Sequence, residues 1–236
     1  MRRLLGPAVL AVLVAAPTMA AAAVPVSFRT DDGVQLSAAW QAPSQPAPAV
    51  LLLHSYLRTH ADWDPVAVAL HEAGFAVLAL DLRGHGASGG TIPGDSFQPY
   101  VRDVKAALTW LEHQPMVMAT RIGIGGLSLG STLAVVAAAA DPAVRSLALV
   151  SPAAEFRGLR ADPAMRTFAG RSGAALLVAG ALDPYGSRSA RQFAEVTPGA
   201  RDLRIIEGTS ANGRALLQAR PDLGPALVDW FRTTLL

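Results

Sequence analysis

The sequence contains no cysteine, which excludes disulfide staples, thiolate metal sites and cysteine nucleophiles together. Charge is scarce, with Lys, Arg, Asp and Glu making up 16% of the residues, and Lys105 is the one lysine. No basic run exists that could follow a phosphate backbone, so nucleic acid is not an expected partner. Aromatics amount to 6%. No histidine occurs beyond residue 113: all five (His54, His60, His71, His85 and His113) lie in the first half of the chain, and no pair of them has metal-ligand spacing with a carboxylate. Neither a metal nor another cofactor is therefore expected. Against these absences stand 51% apolar residues, far too many for a disordered chain.

The first segment is of a different kind from the rest. Arg2 and Arg3 precede an apolar stretch from Leu4 to Ala16, and small residues follow from Ala20 to Ala23. A positive start, a short apolar stretch and small residues for a peptidase form the layout of a secretory signal peptide. The stretch is too short to span a bilayer, and Pro7 and Pro17 interrupt and end it. Residues 1–23 are expected to be removed, with several small-x-small sites competing between residues 20 and 23. That leaves one domain over residues 24–236, secreted or periplasmic, with no stable membrane anchor and no lipidated cysteine. Without Arg2 and Arg3, 18 basic residues face 18 acidic ones.

Beyond residue 23, Val24–Phe28 and Val34–Trp40 alternate around Asp31-Asp32-Gly33, the pattern of a hairpin. Pro43, Pro46 and Pro48 predict a stiff connector. Ala49–Leu53 and Phe75–Leu80 are continuous apolar runs, as in strands buried on both faces. Helical spacing follows each, over Asp62–Gly74 and Val101–Leu111. The alternation continues: strand 121–125, helix 132–140, strands 146–150 and 174–178, helix 189–196, strand 203–206 and helix 225–235. Strand and helix in turn predict a mostly parallel sheet with helices on both faces. In such sheets chemistry sits beyond the carboxyl ends of the strands. Trp63, Trp110 and Trp230 fall in predicted helices and are assigned to packing.

Gly-x-Ser-x-Gly occurs twice, around Ser88 and around Ser128. A nucleophile elbow needs a strand before it and a helix directly after it. Ser88 is followed by Gly89, Gly90 and Pro93, which cannot begin a packed helix. Ser128 follows Arg121-Ile-Gly-Ile-Gly125 and opens onto Ser131-Thr-Leu-Ala-Val-Val-Ala. A helix starting there aims its first amides at a developing oxyanion. The other reading of Ser128 is a glycine-rich turn that merely packs tightly.

Together these residues resemble the α/β-hydrolase fold, of the compact kind similar to dienelactone hydrolases and small serine carboxylesterases. Leu51-Leu-Leu-His54, Asp81-Leu-Arg-Gly-His85-Gly-Ala-Ser88, Ile122–Gly130 and Ala179-Gly-Ala-Leu-Asp183 carry the resemblance. It implies a mostly parallel eight-stranded sheet, a minimal cap, and a small-molecule substrate. It implies Ser128 as nucleophile, with oxyanion donors at the backbone N–H of Leu129 and of Tyr56. Asp183 takes the place of the acid, and its alternative is a turn aspartate before Pro184. The family's histidine follows the last strand; in Ile206-Glu-Gly-Thr-Ser-Ala-Asn212-Gly213 that place belongs to Asn212, and a carboxamide has no proton affinity near neutral pH. His54 and His85 are expected to brace their loops, and His60 is the histidine best placed to act instead. Ser55 stands where the family has glycine. About two dozen residues join the strands ending at Val150 and starting at Ala174, too few for a lid domain, so the cleft should be open. Tyr56, Phe156, Leu182 and Tyr185 are candidates to line it. Two functions remain in view: a serine hydrolase for small carboxylic ester or acyl substrates, impaired or atypical for want of its base, or a non-catalytic binding or scaffolding protein.

Overall fold

The computed structural model describes residues 22–236, so all but the last two residues of the expected signal peptide lie outside the described residues. Strands β1 (Val24–Arg29) and β2 (Gln35–Gln41) form the expected hairpin. They extend a parallel set made of β3 (Ala47–Leu53), β4 (Ala76–Asp81), β5 (Val117–Leu127), β6 (Val144–Val150), β9 (Ala174–Gly180) and β10 (Arg201–Ile206). The order across the eight-stranded sheet is β1-β2-β4-β3-β5-β6-β9-β10. Only β1 and β2 run antiparallel to their neighbours. Every residue of β3, β4 and β9 is buried, which explains their unbroken apolar runs: interior parallel strands are covered on both faces.

Helices α1 (Asp64–Glu72) and α7 (Leu223–Leu235) cover one face. On the other lie α2 (Pro99–Glu112), α3 (Leu129–Ala140), α4 (Ala161–Gly170) and α5 (Pro184–Glu195). The first turn of α1 is preceded by a short 3₁₀ turn over His60–Trp63. α3 is buried along most of its length, which suits its run of mostly small and aliphatic residues packed close to the sheet.

Three places depart from the expected pattern. Pro48 belongs to β3 rather than to a connector, and sits where the register with β5 shifts between Ala47 and Ala49. A bulge is where a strand tolerates a residue without an N–H. The connection after β6 contains a two-stranded hairpin, β7 (Glu155–Phe156) with β8 (Leu159–Arg160), followed by α4. It is the minimal cap that the chain length allows. A further short helix, α6 (Gly213–Ala219), follows β10. No helix among the described residues is long and apolar enough to cross a membrane.

Candidate active site

β5 runs through the middle of the sheet and turns into α3 at Ser128, whose backbone adopts φ +51° and ψ −112°. A side chain rarely tolerates that region, and holding it there costs on the order of 1–3 kcal/mol. The turn is held from several sides. Ser128 N–H donates to the Val150 carbonyl at 2.9 Å, and the Ser128 carbonyl accepts from Ser131 N–H at 2.9 Å. The Ser131 hydroxyl donates to the Gly126 carbonyl at 2.7 Å and lies 3.1 Å from that of Val150. A side chain at Gly126 would collide with the Gly130 backbone, and one at Gly130 with the carbonyls of Leu53 and His54. Both glycines of the motif are thus required by close backbone approach. Ser128 remains partly exposed. Among the described residues, neither the N–H of Leu129 nor that of Tyr56 has a hydrogen-bond acceptor.

Ser88, in the other motif, is structural. Its hydroxyl donates to the Asp81 carbonyl at 2.5 Å and accepts from Ser37 N–H at 2.8 Å, pinning its loop to β2.

Asp183 follows β9 at the same edge of the sheet and is 8% exposed. One carboxylate oxygen accepts from Gly186 N–H at 3.0 Å and caps α5. The two readings of this residue, loop turn and sheet-edge acid, therefore coincide in position. The loop after β10 is fastened to β9, since Ala181 N–H donates to Ile206 at 2.8 Å and Leu182 N–H to Thr209 at 3.0 Å. It is also fastened to β6, because Gly213 N–H donates to the Ser151 hydroxyl at 3.0 Å. Gly213 has φ +48°, and a Cβ there would lie 2.7 Å from Ser55 Oγ and 3.6 Å from Ser128 Cβ. Asn212 is the residue before Gly213 in this loop and the N-cap residue of α6. It is exposed and its side chain makes no hydrogen bond, not even a cap to α6.

No histidine hydrogen-bonds Ser128. His54 is fully buried; its Nε2 accepts from Leu82 N–H at 3.1 Å and its Nδ1 donates to the Ser55 carbonyl at 2.7 Å. His85 accepts from Leu57 N–H at 3.2 Å and donates to the Arg83 carbonyl at 2.9 Å. Both brace the loop that carries Tyr56. His60 does not serve Ser128: its Nδ1 lies 3.0 Å from the buried carboxylate of Asp81, and that hydrogen bond raises its pKa. His71 and His113 bond to nearby carbonyls of Phe75 and Thr109. Ser55 Oγ is buried without a partner, and no group of three metal-ligating side chains occurs among the described residues.

Burial lowers the pKa of His54 to about 4. The unfolded chain, with histidine near 6.5, then binds one more proton between those values, so stability falls as pH drops through that window. The expected loss between pH 7 and pH 4.5 is about 2.5 kcal/mol. Urea unfolding at the two pH values measures it. His54→Gln should show a shallower fall, and an equal fall would place the acid sensitivity elsewhere.

Of the expected lining residues, Tyr56 and Phe156 meet, with ring centroids 6.4 Å apart. Leu182 and Tyr185 flank Asp183 at 63% and 76% exposure. Two residues of the aromatic wall were not foreseen. Phe97, fully buried, stacks on Phe156 at 5.6 Å, and Arg157 lies over Tyr56 and Phe97. The signal for Arg157 was its Arg-Gly pair between two apolar residues, a two-residue hairpin turn.

A family model described as serine aminopeptidase, S33 matches residues 44–211. The match includes Ser128 and Asp183 and stops one residue before Asn212. An uncharacterised protein of Mycobacterium tuberculosis is 36% identical over 130 residues, covering 54% of this chain and 44% of that protein. A thiohydrolase of Arthrinium phaeospermum is 30% identical over 131 residues, covering 54% of this chain and 42% of that one. The match spans less than half the length of these relatives. Among solved structures, an esterase from Pyrococcus furiosus superposes with a TM-score of 0.75 at 20% identity, over 91% of this chain and 93% of that one. A dienelactone hydrolase from Anabaena variabilis gives 0.72 at 21% identity, over 91% and 98%. At such identities the structural likeness establishes the fold alone. With most of its length matched by the family model and the fold shared with these hydrolases, the chain belongs to the serine aminopeptidase S33 family of α/β-hydrolases.

Proposed function

We propose that the protein is an exported serine hydrolase for small carboxylic esters or related acyl groups, slowed because Asn212 stands in the place of its general base. The observation that carries this reading is the backbone of Ser128, held at φ +51° by close glycines and buried hydrogen bonds. A chain with no use for that hydroxyl has no physical need for the strain. In the proposed reaction a substrate carbonyl sits on Ser128, and its oxygen is received by the unpaired N–H groups of Leu129 and Tyr56. Attack moves the hydroxyl proton to solvent rather than to an imidazole, and the alcohol or thiol leaves to give an acyl-serine that water hydrolyses. What remains without a base is binding and the oxyanion hole, together about 10³ to 10⁴ over water.

The purified protein should hydrolyse p-nitrophenyl acetate slowly and react sluggishly with a fluorophosphonate, and Ser128→Ala should abolish both. Rapid labelling that depends on Ser128 would mean that a base is present and would overturn the impairment. The second reading, a non-catalytic binding protein, is favoured by the unpartnered Asn212 side chain. Hydrolysis no faster in the unmodified protein than in Ser128→Ala would decide for it.

A further inference from the structure

The cap hairpin turns through Arg157 and Gly158, at φ +42° and +83°. Such turns favour glycine and asparagine at the first position, so arginine is an unfavourable choice there. The tip is nevertheless fixed: Phe97 N–H donates to the Arg157 carbonyl at 3.0 Å, and the Gln98 amide to that of Gly158 at 3.1 Å. The Arg157 guanidinium lies 5.1 Å from the centre of the Phe97 ring and 5.6 Å from that of Tyr56. A guanidinium stacked on rings keeps its in-plane N–H edge free, the edge that grips a carboxylate with two parallel bonds. No carboxylate among the described residues pairs with it. The ring beneath it belongs to Tyr56, whose backbone N–H faces the oxyanion in the reaction proposed above.

We propose that Arg157 selects acyl substrates that end in a carboxylate, such as half-esters of short dicarboxylic acids, and holds that carboxylate while the ester carbonyl lies on Ser128. The inference rests on the hydrolase reading for its orientation but not for its test, which measures binding as well as turnover. Monomethyl glutarate and dimethyl glutarate differ in one charge. Calorimetry on Ser128→Ala should show the monoester binding at least tenfold tighter, with the preference weakening as salt rises. Arg157→Gln should erase that preference, and Arg157→Lys should restore part of it. A hairpin that mattered only for structure would change both ligands alike. Equal binding of the two esters, or a preference that survives Arg157→Gln, overturns the proposal. In the unmodified protein, p-nitrophenyl hydrogen glutarate should exceed p-nitrophenyl valerate in kcat/KM by a similar factor. Hydrolysis of both esters at one rate sinks this inference and leaves the hydrolase reading. Tight binding of the monoester with no hydrolysis of either does the reverse.

Discussion

Asn212→His should raise the rate of p-nitrophenyl ester hydrolysis at least a hundredfold. The position has room for a larger ring, because Asn212 is exposed. Gly213 is fastened to Ser151, and a Cβ built on it would lie 3.6 Å from Ser128 Cβ, so the loop that carries residue 212 is held at the nucleophile. Its present side chain has no hydrogen bond to give up. Asp183 uses one carboxylate oxygen on the cap of α5, and its second has no hydrogen bond; the expected gain requires that oxygen to receive the Nδ1–H of the introduced imidazole. In a serine protease, loss of the histidine costs on the order of 10⁶ in rate, or about 8 kcal/mol. A hundredfold recovers about 2.7 kcal/mol of that, a modest share for a residue placed without further repacking. The variant should also acquire a pH dependence rising through about 6.5, and the unmodified protein should show none there. Asn212→Gln is the control and should leave the rate low. If Asn212→His changed neither rate nor pH profile, the base position would lie elsewhere.

The parallel sheet was legible because β3, β4 and β9 are buried on both faces and read as unbroken apolar runs. The elbow was legible because only Ser128, of the two motif serines, stands between a strand and a helix. Ser88 has the same local spelling, and only its neighbours Gly89, Gly90 and Pro93 told it apart. What escaped has physical causes. Pro48 reads as a linker residue, since no local pattern reveals that a bulge will receive it. The cap elements β7 and β8 have two residues each, shorter than any window in which alternation can be counted. Phe97 and Arg157 lie 60 positions apart and meet because one backbone bond and the Gln98 side chain join the two loops. Asp183 was ambiguous in sequence for a reason that persists in space: an aspartate that caps a helix and one that orients a base both stand just past the end of a strand.

The second large effect concerns stability. Asp103→Ala should lower it by about 3–5 kcal/mol, the cost of breaking a buried ion pair from one side. Asp103 is fully buried on α2 and accepts from the Arg83 backbone N–H at 2.9 Å and from its Nε at 2.8 Å. Arg83 is 6% exposed, and its other edge reaches Asp32 in the turn between β1 and β2 at 2.7 Å. Burial alone would lower the Arg83 pKa, but the hydrogen bonds to Asp32 and Asp103 reverse this and raise it. Truncation at 103 leaves a desolvated guanidinium half compensated and a backbone N–H unpaired. The exposed Arg102–Asp31 pair, at 3.1 Å, links the same helix and turn, and Asp31→Ala should cost well under 1 kcal/mol. Urea midpoints of the two variants separate burial from charge. A loss below 1 kcal/mol for Asp103→Ala would mean that Asp32 alone satisfies the guanidinium. The consequence reaches the site, because Arg83 anchors the loop whose His85 receives Leu57 N–H, one residue from Tyr56. Loosening that loop should weaken the second oxyanion donor, so ester hydrolysis by Asp103→Ala should fall even at temperatures where the variant remains folded.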